Sequence, residues 1–282
     1  MRRIPLLVPA LWLLGFVAAP LVLVLVLAIS QSGSGVPPFV LPYTAAGGWQ
    51  PNWDAFGLLL EDDYYLSAFL RSLRVAGVTA ALCLLLGFPM ALGIARAARR
   101  WRMPLLMAVL LPFWTGFMPR IGAWTGILRD QGWVNGVLRS LGWIDAPLPL
   151  LYSDTAMFLG MVHAYLPFAV LPLYASLSRL DRTLEDAAGD LGARPWVVFL
   201  TVTLPLAAPG ALAAFLLVFI PAAGEYVIPE LLGPPDAQLV GRVLWQEFFQ
   251  NRDWPVASAL AVALLLALIL PIRLFQRLEA RK

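Results

Sequence analysis

Two stretches of this 282-residue sequence carry side chains whose type and spacing could do chemistry or grip a partner. The first is Leu180–Pro205, a charged interruption between apolar runs. Within it Leu184, Ala187, Ala188 and Leu191 recur at i, i+3, i+4 and i+7, one stripe of a short helix. Asp181, Glu185 and Asp186 lie toward its start, where the helix macrodipole favours negative charge. Gly192 can take the left-handed backbone that stops a helix, and Pro195 can open a new one at its first position. The spacing therefore predicts a helix, a sharp bend and a second helix. Its small residues would let a neighbouring protein approach the backbone closely; a plain interfacial linker is the alternative.

The second stretch surrounds Glu225. Thirty uncharged residues, 195–224, precede it, Tyr226 follows, and Pro221 and Gly224 can loosen a helix there. Charge inside a membrane segment is costly, so such a carboxylate marks either a transport path or an ion pair between helices, with Arg120 as the candidate partner. Catalytic chemistry is poorly served. Cys83 and His163 are each solitary in apolar runs, which suits a buried packing residue and a hydrogen-bonded helix contact rather than a metal site or a nucleophile. With no nucleophile–base pair and no GxxxxGK[ST] phosphate loop, neither a membrane-embedded enzyme nor an ATPase is expected of this chain.

Long apolar runs must position these residues. Sixty per cent of the chain is hydrophobic and 13% charged, against roughly 45–50% and about 25% in soluble domains. Six runs are long enough to cross a bilayer: Ile4–Ile29, Ala68–Ala95, Met103–Leu128, Thr155–Ser178, Leu206–Ile228 and Trp254–Ile272. The first is too long for a signal-peptide core and is expected to stay as an uncleaved helix. Thirteen of the twenty cations fall at the N-terminus and after runs two, four and six, among them Arg2, Arg3, Arg281 and Lys282, so both termini are expected in the cytoplasm. The intervening segment 31–65 reads as an external loop, and 179–205 as a cytoplasmic one. Trp133, Val137, Leu138 and Leu141 have the spacing of a short interfacial or bundle-rim helix, and Leu239–Phe249 forms a second candidate. The expectation is an all-α polytopic membrane protein, a single domain over 1–282.

A resemblance then sharpens the first stretch. Asp186-Ala187-Ala188, three residues, Gly192, nine residues and Val202-Thr203-Leu204-Pro205 resemble the EAA loop of ATP-binding-cassette (ABC) importer permeases, Glu-Ala-Ala, x3, Gly, x9, Ile-x-Leu-Pro. Aspartate stands at the glutamate position, with Glu185 just before it, and Val202 replaces isoleucine. The stretches Leu111–Trp124, Val218–Asp236 and Gly241–Ser258 are similar to putrescine and spermidine importer permeases, the putrescine type more closely, although Gly122 falls where an aromatic is expected.

The resemblance implies a type I ABC importer permease (MetI-like) fold in the bacterial inner membrane. It implies that Glu185, Asp186, Ala187, Ala188 and Gly192 form the core of an ATPase contact. The implied partners are a second permease, expected to be a non-identical sister, two ATPase copies that bind and hydrolyse ATP with Mg, and a periplasmic polyamine-binding protein. No cofactor is implied on this chain. For a polyamine cargo, Glu225 would offer a carboxylate, and Tyr226, Trp114 and Trp124 could stack on ammonium groups, a core or interface-belt role being the alternative for each aromatic. The acidic residues Asp54, Glu61, Asp62, Asp63 and Glu230 read first as a solvated loop, and could instead gather cations near the entrance or meet the binding protein. Importers of other small solutes, channels and secondary transporters are the rival readings; the last two do not require the loop spacing.

Overall fold

The computed structural model describes residues 4–44 and 48–279, so the predicted charges Arg2, Arg3, Arg281 and Lys282 lie outside the described residues. Helices α1 (Ile4–Leu13) and α2 (Ala19–Ala28) run together through a π turn, Leu14–Ala18. Two short antiparallel pairs follow, β1 (Gln31–Ser32) with β2 (Phe39–Val40) and β3 (Tyr43–Thr44) with β4 (Gly48–Trp49). Then come α3 (Asp54–Glu61), α4 (Asp63–Arg96), α5 (Arg99–Trp114), α6 (Phe117–Leu128), α7 (Trp133–Ser140) and α8 (Asp154–Leu177). The chain continues with α9 (Thr183–Asp190), α10 (Pro195–Val198), α11 (Leu204–Ala223), α12 (Val227–Leu232), α13 (Val240–Trp245) and α14 (Trp254–Glu279).

Five stretches are long and apolar enough to cross a membrane: Val8–Ala28, Asp63–Arg96, Asp154–Leu177, Pro195–Ala223 and Trp254–Arg273. The sixth expected span, Met103–Leu128, is not one straight helix. It breaks at Thr115–Gly116, and Arg99–Trp114 meets the stretch Phe117–Ser140 at 85°. Gly116 takes φ +81°, a left-handed conformation in which a side chain would be strained. The fifth span ends earlier than expected: α11 stops at Ala223 rather than Ile228, and Glu225 stands in the break before α12.

Proline also explains two of the π turns. Pro20 and Pro205 each follow such a turn by two residues, Leu14–Ala18 and Phe199–Thr203. A proline inside a helix offers no N–H to the carbonyl four residues back and crowds it, so the preceding turn widens instead of closing tightly.

The chain forms two compact units. In the first, built from Met1–Arg71 and Gln238–Leu270, Ala28, Leu59, Tyr65 and Ala68 bury against Val243, Val256 and Leu260. The buried Glu247 there is fully answered: Tyr65 Oη donates to it at 3.0 Å and Asn251 Nδ2 at 2.9 Å. The second candidate amphipathic segment, Leu239–Phe249, is thus bundle packing, with Val240 and Val243 buried. In the second unit α7 forms as spaced. Its buried Asn135 accepts from the Leu148 amide at 2.9 Å and donates to the Arg129 and Leu148 carbonyls, which pins the loop beyond it.

The centre of the second unit is the pairing of α8 with α11. Lipid tails are as apolar as leucine, so membrane helices associate through close packing at small residues. Gly210 on α11 lies against Ser176 and the Pro172 carbonyl of α8, where any Cβ would overlap the Ser176 side chain. Gly210→Val is therefore expected to force the two helices apart and cost about 1–3 kcal/mol. Thermal unfolding of the purified chain in detergent reads this as a lowered melting temperature.

Candidate functional site

The loop between α8 and α11 folds as a helix, a bend and a second helix. The Thr183 amide donates to Asp181 Oδ1 at 3.0 Å at the start of α9, and this bond, with the Thr183 side chain, holds the Asp181 carboxyl below its ordinary range. At the other end Gly192 N donates to Gly189 O at 2.8 Å and Ala193 N to Ala188 O at 3.1 Å. This paired closure is a Schellman motif, and it requires the left-handed φ of +84° that Gly192 adopts. Arg194, ahead of Pro195, is extended, as the proline ring demands, and Pro195 opens α10.

The predicted stripe is turned away from the rest of the chain. Leu191 at the bend is 89% exposed and Trp196 60%, while Asp186, Ala187 and Gly192 are also exposed. Leu191 and Trp196 thus stand as open apolar side chains on either side of a closed turn, not as packing within the chain. Glu185 faces the other way. Both its oxygens accept from Arg96 Nη2, at 3.0 and 2.9 Å, and Oε1 also accepts from the buried Thr203 Oγ1 at 2.5 Å. Of the five residues expected in a partner contact, Asp186, Ala187 and Gly192 share the open surface, Ala188 is half-buried, and Glu185 is engaged by its own chain. Arg96 and Thr203 were not foreseen as its partners. Arg96 stands out in the sequence only as one of several cations after run two, and no local spacing joins it to a carboxylate in another loop.

The second site is the break after α11. Glu225 Oε1 accepts from the amides of Tyr226, Val227 and Ile228 at 3.1, 2.9 and 3.4 Å, capping α12. Its other oxygen accepts a short hydrogen bond from the buried Tyr165 of α8. The expected alternative, an ion pair with Arg120, does not form. Arg120 is buried on the first turn of α6, donates from Nε to Gly116 O at 2.9 Å, and places its guanidinium 4.9 Å from the Phe113 ring and 5.8 Å from that of Phe117. Trp124 meets His163 edge-on at 5.6 Å, so His163 is a helix-contact residue through its ring rather than through a hydrogen bond. Trp114 is 81% exposed at the end of α5, and Tyr226 is half-buried beside Glu225. Of the path candidates, Glu225 and Tyr226 adjoin in the helix break, Arg120 and Trp124 lie one turn apart on α6, and Trp114 ends α5. Tyr165, the missed member, has no sequence signal beyond its place in an apolar run. Among the described residues no group of three or more His, Cys, Asp or Glu side chains could hold a metal ion.

Membrane-length helices, an open two-helix loop and a capped carboxylate in a helix break suit a membrane transport subunit. The chain belongs to the family of binding-protein-dependent transport system inner membrane components, whose sequence model matches residues 3–282. It is therefore a multi-pass inner-membrane subunit without catalytic activity of its own; ATP hydrolysis belongs to a separate subunit. Over 273 residues it is 34% identical to the spermidine/putrescine transport system permease protein PotB of Haemophilus influenzae, covering 94% of this chain and 90% of that protein. It is 36% identical to the PotB protein of Escherichia coli over 218 residues, 77% of this chain and 79% of the relative. The fold is that of a crystallised bacterial ABC transporter involved in the import of the acidic polysaccharide alginate: TM-score 0.70, 18% identity, 96% of this chain and 93% of the other covered. Channel and secondary-transporter readings fall with this family membership.

Proposed function

We propose that this chain is one membrane half of an ABC importer whose cargo is a linear polyamine. The observation that carries the cargo is the 34% identity, across 94% of the chain, to a permease named for spermidine and putrescine. The relatives are named for both spermidine and putrescine and do not single out the putrescine type expected from the sequence, so the two are the cargoes to be compared. The second half of the pore is a non-identical sister permease. Two ATPase copies dock at the membrane halves, one of them on the open face of α9 and α10, and a periplasmic binding protein delivers cargo on the opposite side. Both termini and the α9–α10 loop then face the cytoplasm. ATP and its Mg ion are held by the ATPase, since this chain has no phosphate loop to cradle them.

The chain's own residues divide the work. Leu191, Trp196, Asp186 and Ala187 present the docking face, and Gly192 sets its angle. Glu225 accepts four hydrogen bonds and stands in a helix break, where a passing ammonium group can exchange hydration for carboxylate and for the Tyr226 ring. Co-expression of this chain with its sister and the ATPase tests the assembly. Polyamine-loaded binding protein is expected to stimulate ATP hydrolysis by the purified complex, and binding protein loaded with an unrelated solute is not. Equal stimulation by both, or none, would count against the cargo assignment.

A further inference from the structure

Glu185 occupies the motif-bearing helix yet spends its hydrogen-bonding capacity inside the chain. Three elements meet at its carboxylate. Arg96, the last residue of α4, contributes Nη2 to both oxygens. Thr203, the last residue of the π turn that feeds α11, contributes Oγ1. The helix α9 itself is tied a second time, because Arg182 Nη2 donates to the Ala95 carbonyl at 3.3 Å. The same two outer elements also touch directly where Phe88 of α4 meets Phe199 edge-on at 5.4 Å.

The ion pair alone would contribute little, since the Arg96 side chain is 48% exposed and water screens it. Thr203 changes this. It is 1% exposed, and its hydroxyl ends on the carboxylate, so loss of Glu185 would strand a buried donor. The π turn adds a place where the helix can change its winding, because Pro205 already denies the Thr201 carbonyl a normal partner. A junction of this kind makes α9 move with the ends of α4 and α11 as one piece.

We propose that Glu185 is a positioning residue that fastens the docking helix to spans two and five, so that displacement of a docked ATPase is passed through Arg96 and Thr203 into the bundle. This rests on the ATPase-docking reading above, and the experiment separates the two. The full transporter in lipid nanodiscs carries spin labels at Asp190, the exposed last residue of α9, and at Ala98, and the distance distribution between them is measured in the parent and in Arg96→Gln and Thr203→Val. A narrow distribution is expected in the parent and a broadened one in both variants. In proteoliposomes both variants are expected to retain bound ATPase but to move about tenfold less polyamine per ATP hydrolysed, within the usual range of coupling between sites. The charge exchange Arg96→Glu with Glu185→Arg should recover most of that ratio. An unchanged distance distribution would overturn the fastening. A broadened distribution with an unchanged transport-to-hydrolysis ratio would overturn the transmission. Leu191→Asp, which adds a charge to the open face, is expected to lose the ATPase; retention there would contradict the docking reading and not the junction.

Discussion

Gly192→Val is expected to lower ATP-dependent uptake by about tenfold or more and to release the ATPase, with the chain still inserted in the membrane. The backbone at Gly192 has φ +84°, and the Schellman closure of α9 depends on it. Forcing an L-residue into that region costs about 1–2 kcal/mol, more for a β-branched one. Space inside the chain is not the obstacle, because a Cβ at Gly192 would meet nothing within 4 Å. Two causes therefore remain, backbone strain and crowding of the docked partner, and they rank substitutions differently. Asparagine tolerates left-handed φ, so Gly192→Asn relieves the strain but still projects a side chain from the open face. We expect uptake and ATPase copurification to fall in the order Gly, Asn, Ala, Val if strain dominates. Asn weaker than Ala would assign the effect to crowding at the interface.

Glu225→Ala is expected to be the most damaging single change, with uptake reduced by about 100-fold and thermal stability lowered. It removes the acceptor for the Tyr226 amide, for two α12 amides and for Tyr165 at once, and each bond to a charged group contributes about 1.5–3 kcal/mol without simple additivity. Glu225→Gln isolates the charge. Its amide oxygen still caps α12, and the Tyr165 hydroxyl can rotate to accept from the new NH2 group. If the carboxylate serves a passing cation, Gln retains the melting temperature of the parent yet loses about tenfold or more in uptake. Uptake at the parent level in Gln, together with loss in Ala, would reduce Glu225 to a helix cap. Tyr165→Phe, which removes one donor, should fall well short of either.

These two sites show what the sequence held and what it could not. The helix–bend–helix over 180–205 was legible because its determinants are local: an apolar stripe of period 3.6, a glycine at the stop and a proline at the start. Five spans were legible from apolar length alone, as was α7 from its spacing. The 85° break at Gly116 was not, since glycine and proline are common in membrane helices and mark a bend only when tertiary packing selects it. The early end of α11 was half legible, since Pro221 and Gly224 mark a loosened helix there while apolar length alone runs on to Ile228. Glu225 stood out as a charge ending an apolar run, but its partners did not. Tyr165 lies in another helix, and Arg120, the partner expected from charge alone, instead packs on Phe113 and Phe117. The inward turn of Glu185 was hidden for the same reason. Arg96 and Thr203 are brought to it by the fold, across separations that no motif spans.

The most direct test of the transport assignment is uptake of labelled putrescine and spermidine by proteoliposomes. These would contain this chain, its sister permease and the ATPase, with ATP inside and binding protein outside. Accumulation of at least one polyamine is expected, dependent on ATP and on the binding protein and lowered by Gly192→Val to the extent given above. Accumulation of neither by an assembled complex that hydrolyses ATP would contradict the polyamine assignment. Uptake that persists without ATP would contradict the importer mechanism itself.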